Sequence, residues 1–232
     1  VPDASLHPRL LRLALAFAFT AIVATAAGEG RDLAGLGLMS LGAEVIIGLM
    51  LGIGLRLFVL ALQMAGAMAA QATSLSQMFG GVGPEPQPAL ANLLVMAGLA
   101  VAVALGLHLR LAELFLLSYQ ILPIGKLPAA SDVTPWGVSQ VAHAFALAFA
   151  IAAPFAIAAL LYNVALGAIN RAMPALMVSF IGAPVLIFGG LILMILTLPL
   201  ALMLWSNAMN GFLASPFGPV QCATKMMTTS RL

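Results

Sequence analysis

A chain of 232 residues that is 63% hydrophobic and only 7% charged cannot clothe a water-soluble particle, whose composition draws on roughly 25% charged residues. Its mean hydropathy of +1.13 asks for lipid or apolar neighbour subunits as a covering. A single cysteine excludes an internal disulfide framework and a cysteine zinc site. Nine basic residues against seven acidic ones include no basic run that could neutralise phosphates, so nucleic acid is excluded as a partner.

The apolar residues come in stretches whose length makes them helices. Residues 89–107 read ALANLLVMAGLAVAVALGL, with Asn92 the only polar side chain, and residues 186–204 read LIFGGLILMILTLPLALML, with Thr197 the only one. A transmembrane helix needs about 20 such residues, whereas a barrel strand needs about 10 that alternate. Nothing alternates here, and the chain reads as all-α.

Six stretches follow in order. The chain opens VPDASLHPRL, with no cleavable signal pattern and with Val1 where an initiator methionine would stand, as a fragment or an alternative start codon would leave it. The first stretch, 10–27, lies between Pro8 and the polar run Gly28–Asp32. The second and third, 33–54 and 57–72, touch at Arg56 and can form one long helix. A loop over Ser74–Pro88 comes next, because Gly80-Gly81, Gly83-Pro84, Pro86 and Pro88 forbid a helix there. The fourth stretch, 89–122, is too long for one simple span and carries His108, Arg110 and Glu113 in its second half. A second loop rich in Pro and Gly covers Pro123–Gly137. The last two stretches, 138–169 and 175–213, meet at Asn170–Pro174, which reads as the turn of a helical hairpin. Lys and Arg are spread too evenly for the positive-inside rule to set an orientation. With no fixed-period repeat and no soluble domain, residues 1–232 form a single membrane module.

Charges within apolar helices mark candidate functional residues. Glu44 and Arg56 are 12 residues apart, so they cannot pair along one helix, and each needs a partner elsewhere or a water-filled cavity. Arg110 and Glu113, at i and i+3, can pair on one face, with His108 half a turn away; the cluster suits a polar knot between helices better than a proton relay. Gly48 and Gly52 form a GxxxG, followed by Gly54 and by Ala61, Ala65 and Ala69, and such seams let helix backbones approach in lipid. Enzyme signatures are missing: there is no HExxH, P-loop, G-x-S-x-G or Rossmann fingerprint, and the three histidines show no metal-ligand spacing. The reading is a protein without catalysis, metal or cofactor.

Three segments together resemble the FliR family of flagellar export-gate proteins, whose injectisome counterpart is the SctT family. Glu44-x-x-x-Gly48-x-x-x-Gly52, continuing through Arg56 into Gln63-x-x-Gly66, is similar to the first of that family's motifs. His108, Ser118-Tyr119 and Leu122-Pro123-Ile124-Gly125 resemble the second. Ile169-Asn170-Arg171-x-x-Pro174, followed by Phe180-x-x-Gly182-x-Pro184, resembles the third and most specific. The likeness runs over residues 8–213 in order, with departures at Leu107, Ala175 and Met177, and it implies another apolar helix ahead of Pro8-Arg9.

What this resemblance implies is a subunit of a type III protein export gate in the inner membrane of a bacterium, at the flagellar basal body. By the same likeness, residues 8–137 are FliP-like and 138–213 form a FliQ-like hairpin, with 214–232 as a C-terminal tail. The helical hairpins, kinked by Pro and Gly, would join FliP-, FliQ- and FlhB-like proteins in a helical shell within the lipid, through which unfolded exported proteins pass. Loop 74–88 would place Met78, Phe79, Gly80, Gly81 and Gly83 as a pore plug, since Met and Phe make a compliant apolar stopper and Gly lets it move. Glu44, Arg56, His108, Arg110, Glu113, Asn170 and Arg171 are then candidate subunit contacts, and Gly48, Gly52 and Gly66 helix-packing positions. Two other readings are the equivalent injectisome subunit and a secondary transporter of a small solute, in which Pro154, Pro184 and Pro199 would break helices around a midplane site.

Overall fold

A computed structural model describes residues 6–28, 37–74, 89–122, 125, 128, 130–172 and 178–218. All of its elements are helices: α1 (Leu6–Gly28), α2 (Leu38–Ser74), α3 (Ala89–Ala104), α4 (Leu107–Ile121), α5 (Ala130–Ala172) and α6 (Val178–Ala214). Three are long and apolar enough to cross a membrane, α2 over Met39–Ala72, α5 over Ala130–Ile169 and α6 over Phe188–Ala214. The protein is an all-α membrane protein.

Several boundaries differ from the sequence expectation, each for a local reason. Pro8 lies in the first turn of α1 rather than ahead of it, where its missing N–H breaks no helical bond. The second and third stretches, by contrast, are the one long helix that their junction at Arg56 allows, α2, since neither Gly nor Arg56 stops a helix whose buried face continues across it. Ser74, expected in the first loop, closes α2, and the remainder of that loop, 75–88, lies outside the described residues.

The stretch 89–122 divides at Leu105-Gly106 into α3 and α4, bent by 73°. Gly106 adopts φ 75° and ψ 36°, a left-handed conformation that glycine enters without steric penalty. The ladder ends on Gly106 N–H to Val103 O at 3.0 Å, and Gly106 O then accepts from Leu109 and Arg110 as the new helix starts.

The second loop is shorter than expected, because α5 begins at Ala130 and holds Pro135 inside it. Asp132 in the first turn suits the positive end of the helix dipole, and Pro135 near the start removes a single ladder bond. At the far end, Asn170 and Arg171 are the last turn of α5 and not the break itself; the Arg171 cation suits the negative helix terminus there. Residues 173–177, including Pro174, lie outside the described residues.

The helix directions follow from contacts at two levels of the bundle. At the middle of α2, Phe58 meets His143 of α5 (ring centroids 6.5 Å) and Phe212 of α6 (5.5 Å). At the second level, Ala69 of α2, Leu94 of α3, Phe155 of α5 and Met194 of α6 form one buried cluster. So α2 and α5 run parallel and α6 runs antiparallel to them, while α3, packed on α2 and α6, also runs antiparallel to α2, since Gly66 meets Ala91 and Leu62 meets Gly98. The core centres on Leu51, Phe58, Leu62 and Trp205, which is 1% exposed. The Trp205 indole N–H donates to Phe58 O at 2.9 Å, tying α6 to α2 across the core. The outward faces stay apolar, with Phe17, Leu49, Leu160, Phe188 and Ile195 all exposed, as lipid or neighbouring helices require.

Candidate functional site

Most polar side chains that helical periodicity would scatter meet near the end of the bundle where α2 and α5 begin. Glu44 sits one and a half turns into α2, facing the connection that follows α4. Its Oε1 accepts the Gly125 backbone N–H at 3.2 Å, and Tyr119 of α4 stands near enough to the same carboxylate to interact with its charge. Gly125 has φ +80°, and a Cβ there would stand 3.0 Å from Ser40 Cβ, so both conformation and space call for glycine. A carboxylate in apolar surroundings is thus supplied with a donor from a loop 81 residues away. Two of the segments quoted above, around Glu44 and around Leu122–Gly125, are brought together by this contact.

The kink at Gly106 aims the first turn of α4 at the end of α6. Arg110 Nη1 donates to Asn210 Oδ1 at 2.8 Å. Arg110 therefore pairs with α6 and not with Glu113, as the i, i+3 spacing had suggested, because the bend carries the guanidinium to a partner 100 residues away. Glu113 and His108 are exposed and have no hydrogen bond or ion pair among the described residues. Glu113 lines a cavity of about 320 Å³ together with Arg110, Asn210 and Leu105.

A second cavity, about 420 Å³, opens between α2, α5 and α6 and is lined by Phe58, Gln140, His143, Asn207, Phe212 and Ser215. The chain beyond α6 is held across its edge. The Trp136 indole N–H donates to Pro216 O at 2.7 Å, and the Trp136 ring leans on Phe217 at 6.2 Å. Gln140, Trp136 and Asn210 were not singled out in the sequence. Gln, Trp and Asn within apolar runs were the available signal, but the partners of Trp136 and Asn210 lie 80 and 100 residues away.

The glycines divide sharply. At Gly66 a Cβ would lie 2.3 Å from Ala91 Cα, so α2 and α3 touch backbone to backbone. At Gly48 and Gly52 it would meet nothing within 4 Å, and both face outward. Arg56, one turn beyond Gly52, also faces outward with no hydrogen bond or ion pair among the described residues. An unpaired arginine at a helix centre in lipid costs at least about 2.5–3.5 kcal/mol. Arg171 is exposed, the Asn170 side chain and Met78–Gly83 lie outside the described residues, and no group of three metal-ligating side chains occurs among those described.

Known proteins resemble this chain. The family model described as bacterial export proteins, family 1, matches residues 3–212. Over 100 residues the chain is 33% identical to the flagellar biosynthetic protein FliR of Caulobacter vibrioides, a match that covers 43% of this chain and 39% of that protein.

Proposed function

The chain belongs to the bacterial export proteins, family 1, and from that premise we propose that it is a core, non-catalytic subunit of a type III protein export gate. In this reading it helps to form and close a channel in the bacterial inner membrane through which unfolded flagellar proteins leave during flagellum assembly. Its partners are FliP-, FliQ- and FlhB-like proteins, with 8–137 taking a FliP-like place and the 138–213 hairpin a FliQ-like one. The observation that carries the reading is the family match across nearly the whole chain. The Glu44 bond to Gly125 adds support, since it gives two separated motif segments a shared structural purpose. Glu44, Arg110 and their partners fix the subunit's shape; Arg56, His108, Glu113, Asn170 and Arg171 are left for contacts with other subunits.

In the same reading, Met78, Phe79, Gly80, Gly81 and Gly83 form the stopper of the closed channel. Deleting Met78–Gly83 should make cells expressing the assembled gate leak small ions, measured as dissipation of the membrane potential. Unchanged permeability in an assembled mutant gate would rule out the plug. Purification tests the wider assignment: the chain should co-purify with at least two other small apolar membrane proteins, and isolation as a lone chain or homo-oligomer would favour a solute transporter instead.

A further inference from the structure

The contact surface of α2 has a specific electrostatic requirement that no other described residue meets. Arg56 is the middle residue of α2, with 18 residues of Leu38–Ser74 on either side, so it lies at the centre of the apolar stretch Met39–Ala72 of a spanning helix. The opposite face of α2 is fully used: Ala43, Ile47, Leu51, Phe58, Leu62 and Ala65 are buried against the other helices. Arg56 points away from them and is exposed.

None of the described carboxylates pairs with Arg56. Glu44 is 12 residues back along the same helix, about 18 Å at the helical rise, and is engaged by the Gly125 N–H. Glu113 lies beside Arg110 and Asn210 on the far side of the kink. Asp132 stands in the first turn of α5 and accepts from the Ser131 hydroxyl at 3.3 Å. A guanidinium cannot give up its proton to become tolerable in lipid, and from mid-helix it is too deep to reach water by extending along the helix.

Resting on the reading of the chain as an assembling gate subunit, we infer that the outward face of α2 around Arg56 docks a transmembrane helix of a different protein, one that presents an aspartate or glutamate to Arg56. The carrying observation is the unpaired charge. A carboxylate is the partner whose planar oxygens match the guanidinium fork, and two opposite charges buried together at a helix–helix contact compensate each other where neither could stand alone. Gly52, one turn away, has open space where a side chain would be and sets how closely that helix can approach.

The test uses the full chain expressed with the membrane proteins encoded beside it. Arg56→Glu should lower recovery of the co-purified complex at least tenfold, Arg56→Leu should lower it severalfold, and Arg56→Lys should keep most of it. A photo-reactive residue placed at Gly52 should crosslink to an apolar segment of a second protein that carries Asp or Glu within about one helical turn of the attachment site. Exchanging that carboxylate for lysine should restore assembly of Arg56→Glu. Equal helix content and yield of the isolated variants excludes misfolding as the cause of any loss.

Several results would overturn the inference. Among them are full assembly of Arg56→Leu, crosslinks to lipid alone or to a second copy of this chain, and a crosslinked segment without a carboxylate. Ready labelling of Arg56→Cys in the assembled complex by a membrane-impermeant maleimide, in a Cys222→Ser background, would place the face against water and overturn it too. In each of these cases co-purification with other membrane proteins would leave the gate assignment standing. Recovery of the chain alone would refute both.

Discussion

At the scale of single residues, glycine in this protein acts in two ways that one sequence pattern conceals. Gly66 is a contact inside the chain: an added Cβ would lie 2.3 Å from Ala91 Cα and 2.7 Å from Ala91 N, and backbone cannot rotate aside. Gly66→Ala should therefore push α2 and α3 apart and destabilise the isolated chain by about 1–3 kcal/mol, read as a lowered thermal midpoint in detergent. Gly48→Ala should leave that midpoint unchanged, since its Cβ meets nothing within 4 Å. The small-residue spacing in the sequence marks both positions alike; only the path of α3, set by residues 25 positions further on, separates them. Trp205 offers a second residue-scale test. Trp205→Phe keeps the ring in the core but removes the donor to Phe58 O, and should cost about 1 kcal/mol, whereas Trp205→Ala should cost about 3–5 kcal/mol through the cavity it leaves.

At the scale of elements, the break between α3 and α4 shows what periodicity reads and what it misses. The 34 residues of 89–122 are too long for one span, which the sequence states plainly, but it does not say where they divide. Gly98 and Gly106 are both candidates. Gly98 is helical because Leu62 Cδ1 fills the space where a Cβ would stand, 2.4 Å away, and the helix packs close over it. Gly106 has open surroundings and takes the left-handed conformation. Gly106→Ala meets that backbone with a cost of about 1–2 kcal/mol, so α3 and α4 should straighten toward one helix. Spin labels at Met96 and Gln120 should report a longer separation in that variant, and loss of the Arg110–Asn210 bond should accompany it. The start of α5 was illegible for a related reason. Pro135 and Gly137 look like loop residues, yet near a helix N-terminus Pro costs little, and Trp136 between them gains a bond to Pro216 O and a contact with Phe217. Trp136→Ala should free that turn, seen as faster proteolysis after Phe217.

At the scale of the whole molecule, class was easy and assembly of the site was not. Composition and run length alone demand an all-helical chain in an apolar setting, because too few charges exist to make another surface. The charged and polar groups could be picked out for the same reason. Their partners could not: Glu44 to Gly125, Arg110 to Asn210 and Trp136 to Pro216 link helices whose relative directions depend on a bend and on two connections. The outward apolar faces predict behaviour beyond the single chain. Expressed without neighbouring membrane proteins, the chain should aggregate or associate nonspecifically in mild detergent, and co-expression should raise its monodisperse yield severalfold by size-exclusion chromatography.

The tie between Trp205 and Phe58 also has a consequence in time. The two residues are 147 positions apart, so during synthesis α2 is finished long before the tryptophan that covers its centre exists. At roughly 5–20 residues per second, the inner face of α2 waits about 7–30 s for its last neighbour. Through that interval its packing surface is open to chaperones, to lipid and to misplaced helices from other nascent chains. A pause introduced just ahead of Trp205 should therefore lower the yield of folded protein more than an equal pause placed after it, although both make the same polypeptide.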